Sequence, residues 1–456
     1  MDRQIGHLKE IYRAGVERVD PFAMIKNRIR LEGSVLKIAE DSGEDSVDLS
    51  RFSRIFVHGA GKATAKMARA MEGILGDRLT GGVIAVKKGH TDSLSKIKII
   101  EAGHPVPNDA SVAAAREVAE LAERGDVSTL FIGLVSGGGS ACLCSPREWS
   151  DGARRRSLTL QEKQAVTELL LACGADITEV NTVRKHLSNL KGGGLARLMY
   201  PATSFNIILS DVVGDRLDSI ASGLTVGDRT SFEDARAILR RYGIEERVPN
   251  AVRDLLDAGC AGMVAETPRP DDPVFERVHN VLLGTNLAAL RASAERAGQL
   301  GYRVVPLSSQ ITGESRETAK FYLALALDVA DHDLLSEKPV CIIGGGETTV
   351  TLSGKGKGGR NQEMALSFLE SLASREPRPR GIYFLSAGTD GNDGPTDAAG
   401  AFACEEAIAE TARQGLSIDR YLDANDSYTF FDSVGYLFKP GPTNTNVCDL
   451  QILIIV

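Results

Sequence analysis

Little in this sequence points toward a membrane, a disulfide framework or a nucleic acid. No apolar run approaches the ~18 residues a membrane-spanning helix needs. The cysteines, Cys142, Cys144, Cys173, Cys260, Cys341, Cys404 and Cys448, form no CxxC pair and read as small core residues in a reducing compartment. A net charge of −8 over 456 residues, with no Lys/Arg-rich block or acidic tail, offers no general attraction to nucleic acid. Residues 1–20 mix both charges with apolar residues at helical spacing and lack the apolar core of a signal peptide. A surface helix is expected there, in a cytoplasmic protein. HxH, HExxH and GxSxG are absent, so no histidine metal site and no nucleophile-elbow hydrolase are predicted.

What is present describes a globular chain long enough for roughly two to four domains. From residue 51, short apolar β-branched runs alternate with helical stretches. Strands are expected at 54–58 (RIFVH), 83–87, 97–101, 130–135 (LFIGLV) and 205–209, with the clearest helix at 111–124. Such strands, apolar without alternation, suit parallel sheets covered on both faces by helices. The stretch 258–274, rich in Ala, Gly, Pro and Asp, is taken as a linker. A second α/β series follows, with strands at 278–283, 302–307, 340–343, 381–385 and 451–456. Its helices are expected at 286–300, 318–331, 360–373 and 397–414. Two α/β domains result, residues 1–258 and 275–456.

In open parallel sheets ligands bind beyond the carboxyl ends of the strands, and here those ends carry unusual loops. Gly59-Ala60-Gly61-Lys62 follows the first strand, Ser136-Gly137-Gly138-Gly139-Ser140 the fourth, and Ser210-Asp211-Val212-Val213-Gly214-Asp215 the fifth. In the second half, Gly344-Gly345-Gly346-Glu347-Thr348-Thr349 follows one strand, and 388–397 (GTDGNDGPTD) another. Three loops, 59–62, 136–140 and 354–360, look suited to phosphate, because glycines let backbone N–H groups approach an anion before a helix N-terminus. A lysine at a helix start opposes the dipole, so Lys62 is better explained by an anionic ligand than by the helix. The planar fork of Arg360 suits phosphate or carboxylate. Asp211, Asp390 and Asp393 offer oxygen ligands for magnesium, and Asp397 is placed to cap a helix. Calcium is rejected, because Ala401 stands where an EF-hand needs its twelfth-position Glu. A Walker A loop fails at Arg360-Asn361, and a dinucleotide GxGxxG fails at Thr64.

These stretches resemble the glycerate 2-kinase family, with its N-terminal Rossmann-like domain and C-terminal MOFRL domain. The matching segments are HGAGKATAKMA (58–68), EAGHPVPNDAS (101–111), LVSGGGSA (134–141), NTVRKHLSNLKGGGLA (181–196) and LSDVVGDRLDSIASG (209–223). They continue as GGGETTVTLSGKGKGGRNQE (344–363), GTDGNDGPTDAAGA (388–401) and PGPTNTNVCDLQILIIV (440–456). The resemblance implies ATP- and Mg-dependent phosphorylation of D-glycerate at its 2-hydroxyl, in a cleft between the domains. With the loop chemistry it makes Lys62, Arg360 and Asp211 the catalytic candidates. Gly59, Gly61, His104, Ser136, Gly137, Gly138, Gly139, Ser140, Lys191, Glu347, Thr348, Asn361 and Glu363 become the substrate and nucleotide contacts, and Asp211, Asp390 and Asp393 the magnesium ligands. Two positions depart from the family pattern: Leu224 replaces a proline, and Asn444 a glycine, the latter mild because Asn tolerates left-handed backbone. Neither nucleic acid nor membrane is an expected partner, and oligomeric state is left open, a homodimer included. The rival readings are an NAD(P)H-dependent hydroxypyruvate or glycerate oxidoreductase and a non-catalytic sugar-acid binding protein.

Overall fold

The computed structural model describes residues 3–41, 43–150 and 154–456. The chain forms two compact units, one of Ile25–Leu283 and the other of the described residues of Met1–Met24 with Gly284–Val456.

In the first unit a six-stranded sheet runs in the order Val278–Gly284, Thr203–Leu209, Thr129–Val135, Arg54–Ala60, Gly81–Lys87, Ile97–Ala102. Numbered along the chain this is 6-5-4-1-2-3, the doubly wound order, and the pairings between strands 1 to 5 are parallel. Its centre reads as expected for strands covered on both sides, since every residue of Thr129–Val135 is buried. The best-predicted helix runs Asp109–Ala122, opened by a capping box between Asn108 and Ser111. Two features depart from the sequence reading. Val278–Gly284, expected to open the second series, is the edge strand of this first sheet. A three-stranded antiparallel sheet over Ile29–Glu32, Val35–Ala39 and Glu44–Asp48 was not foreseen.

The second unit is a mixed six-stranded sheet, ordered Arg303–Pro306, Val340–Gly346, Asp449–Ile455, Ile382–Gly388, Gly400–Cys404, Leu437–Phe438. Only its first pair is parallel. The C-terminal strand Asp449–Ile455 lies between and antiparallel to two others, fully buried. The segment 397–414, expected as one helix, divides into strand Gly400–Cys404 and helix Glu405–Gln414. An all-buried apolar run has no face, so its periodicity cannot separate helix from strand. Asp397 therefore caps no helix; its exposed carboxylate accepts from Tyr428 Oη at 2.7 Å and lies 3.3 Å from Lys439 Nζ. The N-terminal helix Arg3–Arg18 is no surface appendage. It buries Ile5, Leu8, Ile11 and Tyr12 in this second unit, and Tyr12 Oη donates to Gly388 O at 2.7 Å.

Candidate active site

The strand order of the first unit reverses between Arg54–Ala60 and Thr129–Val135, the place where a doubly wound sheet opens a crevice at its carboxyl edge. Their register, Gly59 opposite Leu134 and Ala60 opposite Val135, delivers the two glycine loops side by side. Lys62 N donates to Gly137 O at 2.9 Å, and Ala63 N donates to Ser136 Oγ at 3.1 Å, tying one loop to the other. Two glycines are dictated by close approach. A Cβ on Gly137 would stand 2.0 Å from Asp211 Oδ2. Gly138 has φ +83°, and its Cβ would meet His104 Cδ2 at 2.6 Å and Lys62 Cγ at 3.5 Å. The loop thereby gathers Lys62, His104 and Asp211. Ser140, in the short helix Gly139–Cys142, accepts from Lys191 Nζ at both its carbonyl and its hydroxyl oxygen, each at 2.8 Å.

Electrostatics sharpen these roles. Burial, with the charges of Lys62, Lys87 and His90, pushes His104 down to about 4, so its ring is neutral near pH 7. Burial raises the Asp211 carboxyl above the usual range, against the pull of Lys62. A carboxylate adjusted upward beside a lysine can orient a hydroxyl or take its proton. Burial also lowers the Lys191 ammonium, to about 7.

In the second unit Arg360 opens the helix Arg360–Ala373 as predicted, but its fork is engaged. Nε and Nη2 donate to Asp449 Oδ2 and Oδ1 at 2.6 and 2.9 Å, and Nη1 lies 2.9 Å from Glu347 Oε1. Burial opposes the charge, yet these carboxylates hold Arg360 above its ordinary value. Asp390 lies near, since a Cβ on Gly388 would be 3.4 Å from Asp390 Oδ1 and 3.5 Å from Asp449 Oδ1. Asp393 behaves differently from the magnesium ligand expected. Its buried carboxylate accepts from Asn361 N at 3.2 Å and Gln362 N at 2.9 Å, so it caps the helix from a distant loop where Gly359 has no side chain to do so. Burial raises it to about 6. Glu363 pairs with Arg316 Nε at 2.7 Å, Thr348 bonds Ser315 at 2.8 Å and Asn361 accepts from Ser386 Oγ at 2.6 Å. These contacts support the helix and strand that carry Arg360 and Glu347.

In the loop 354–360, three of the amides expected to face phosphate are engaged within the protein. Gly354 N and Lys357 N donate to Asn425 Oδ1 and Asp426 Oδ1, and Gly356 N donates to Ala424 O. A Cβ on Gly354 would lie 2.1 Å from Ala424 O, so those glycines serve packing against 424–427. Asn444 does adopt the left-handed backbone expected of it, with φ +64°.

Comparison with known proteins places this arrangement. A family model described as a domain of unknown function, DUF4147, matches residues 7–257, and that of the MOFRL family matches 340–449. A Pyrococcus horikoshii protein named glycerate 2-kinase is 38% identical, over 96% of this chain and 94% of its own. The chain belongs to the glycerate kinase family. The crystal structure of a glycerate kinase from Thermotoga maritima superposes with a TM-score of 0.85 at 35% identity, covering 99% of both chains. An Agrobacterium vitis protein with the provisional name hydroxypyruvate reductase is 39% identical over 88% of this chain and 87% of its own.

Within this family fold, sequence reasoning missed Asp449, the fully buried partner of Arg360. Its signal was a lone acid at the head of the apolar run LQILIIV. Sequence reasoning gave no reading of Lys163, and Arg184 belonged to a basic stretch, 183–188, that fits an anion attractor and a solvated helix face equally.

Proposed function

We propose that this protein is a glycerate kinase that transfers the γ-phosphoryl group of ATP to the 2-hydroxyl of D-glycerate. The observation that carries the reading is the match to a protein named glycerate 2-kinase along nearly the whole of both chains. The joined glycine loops at the switch point, with Lys62 and Asp211 gathered on them, supply chemistry that suits it. Phosphoryl transfer needs positioning and charge neutralisation more than covalent help. In this reading the amides of Gly137 and Gly138 hold phosphate oxygens, those of Lys62 and Ala63 being engaged in joining the two loops, and Lys62 places a point charge on the transferring group. Asp211 orients the substrate hydroxyl and takes its proton. Arg360, fixed by Asp449 and Glu347, presents a rigid positive charge for a phosphate or carboxylate.

Among the described residues no group of three or more His, Cys, Asp or Glu is placed to hold a metal. That fits magnesium bound by one or two carboxylates and nucleotide phosphates rather than by a protein cage. Asp211 or Asp390 suits such a ligand, whereas Asp393 is committed to helix amides. The ion would neutralise charge on the phosphates.

The deciding experiment incubates the protein with D-glycerate, ATP and magnesium and identifies the phosphorylated product. ADP and 2-phosphoglycerate are expected, and no ADP formation would sink the proposal. Oxidation of NAD(P)H by hydroxypyruvate in the same preparation would favour the reductase reading. Against that reading, Thr64 fills the place of the third dinucleotide-loop glycine, its hydroxyl 3.1 Å from Ser136 Oγ in a buried contact.

A further inference from the structure

Beside the switch-point loops lies a cavity of about 410 Å³ that His104, Gly138 and Ser140 share with three cations, Lys163, Arg184 and Lys191. The lysines are nearly inaccessible, 7% and 3% exposed. Among the described residues, none of the three cations lies within ion-pair distance of a carboxylate. Lys163 Nζ reaches only as far as Ser145 O, at 3.4 Å, and no hydrogen bond satisfies the Arg184 fork. The carboxylate that lines the cavity, Glu168, is exposed at its rim. Among the described residues the buried Lys185, by contrast, lies 3.3 Å from Asp228 Oδ1. Lys191 Nζ meets only neutral acceptors, Ser140 O and Oγ and Leu143 O, and buried positive charge without a carboxylate is costly and calls for a counter-ion. The three are close enough to feel one another, since Lys163 and Arg184 both disfavour the charged form of Lys191.

We propose that Lys163, Arg184 and Lys191 form an oxyanion subsite that holds the carboxylate of the acceptor substrate. The inference rests on the glycerate kinase reading for the identity of that substrate. The adjoining loop already offers the Gly137 and Gly138 amides for polyphosphate, whereas recessed side-chain cations suit the single fixed charge of a small hydroxy acid. Pro105, Val106 and Leu171 form the apolar wall, which gives a carbon skeleton a place beside the charge. Selection of an acid over a neutral polyol then comes from these cations, which an uncharged ligand would leave unanswered.

The test titrates full-length wild type, Lys163→Met and Arg184→Met with D-glycerate, glycerol, inorganic phosphate and ADP, each without a second ligand, by calorimetry and thermal shift. D-glycerate should bind the wild type and glycerol should not. Each variant should weaken D-glycerate roughly 10- to 100-fold and leave ADP unchanged. In turnover the variants should raise KM for glycerate and not for ATP. The unliganded Lys163→Met protein should melt no lower than wild type, because an unanswered buried charge has been removed. Arg184, half-buried, provides a second variant less exposed to folding failure. Unchanged glycerate affinity in folded variants overturns the subsite. Loss of ADP or phosphate binding instead of glycerate overturns the carboxylate assignment. Wild type that binds glycerate through these cations without phosphorylating it would remove the kinase reading and keep the subsite.

Discussion

At the scale of single residues, Lys62, His104 and Asp211 owe their meeting to glycines. Gly137 and Gly138 bring backbone to within contact of the three side chains, which any Cβ would push apart. Removing the Lys62 charge from such a site should lower kcat by about 10²–10³. A steady-state assay of Lys62→Ala checks this, and near-wild-type kcat would exclude the residue from the chemistry. Gly138→Ala should cost activity as well, since a Cβ there meets His104 and the backbone is left-handed. Arg360 and Asp449 make a different kind of pair. Asp449 is fully buried, so Arg360→Ala leaves it without its bidentate partner and should destabilise the fold by about 3–5 kcal/mol, read by urea unfolding. Arg360→Ala thus lowers both stability and turnover, while Lys62→Ala, which breaks no such pair, lowers turnover alone.

At the scale of elements, the helix Arg360–Ala373 shows how a cap can come from outside. Its N-terminal glycine offers no side chain, and Asp393 fills that role from 32 residues downstream of Asn361. Asp393→Ala should destabilise by about 1–2 kcal/mol, measured by urea unfolding, and should loosen the turn that holds Arg360. The same aspartate could be recognised in the sequence as an acid in a Gly-rich loop, but not as a cap, because capping rules describe neighbours in the chain. Helix and strand assignments divided along the same line. The helix from Arg360 was legible from its length although 361–369 are all buried, while the five-residue strand Gly400–Cys404 was not, because burial on every side erases the pattern that separates the two and only length arbitrates.

At the scale of the whole molecule, the buried lysines couple stability to pH. Burial lowers Lys163 to about 8 and Lys191 to about 7, well under the ordinary lysine value. Lys191 faces Lys163, Arg184, Cys142 and Cys144, and Lys163 faces Arg184 and Cys144, so no carboxylate offsets the shift. Between about pH 7 and 8.5 the unfolded chain holds more protons than the folded one, so unliganded stability should rise with pH there. A substrate carboxylate favours the protonated lysines, so stabilisation by D-glycerate should shrink across the same window. Urea unfolding at both ends of that window, with and without D-glycerate, measures both slopes. A falling unliganded stability or a constant ligand effect would contradict the assignment.

The sequence by itself determined the alternation of strands and helices, the glycine loops at strand ends and the candidates Lys62, Arg360 and Asp211, because these are local patterns of residue type and spacing. Tertiary structure alone decided which loops share a place. The doubly wound strand order puts 59–63 beside 136–140, and the last strand of the chain puts Asp449 beneath Arg360. It also showed that the glycines at 354–358 pack against 424–427, while Gly138 lines a ligand-sized space. Glycine permits close approach to an anion and to a neighbouring backbone equally well, and only the fold says which neighbour is there.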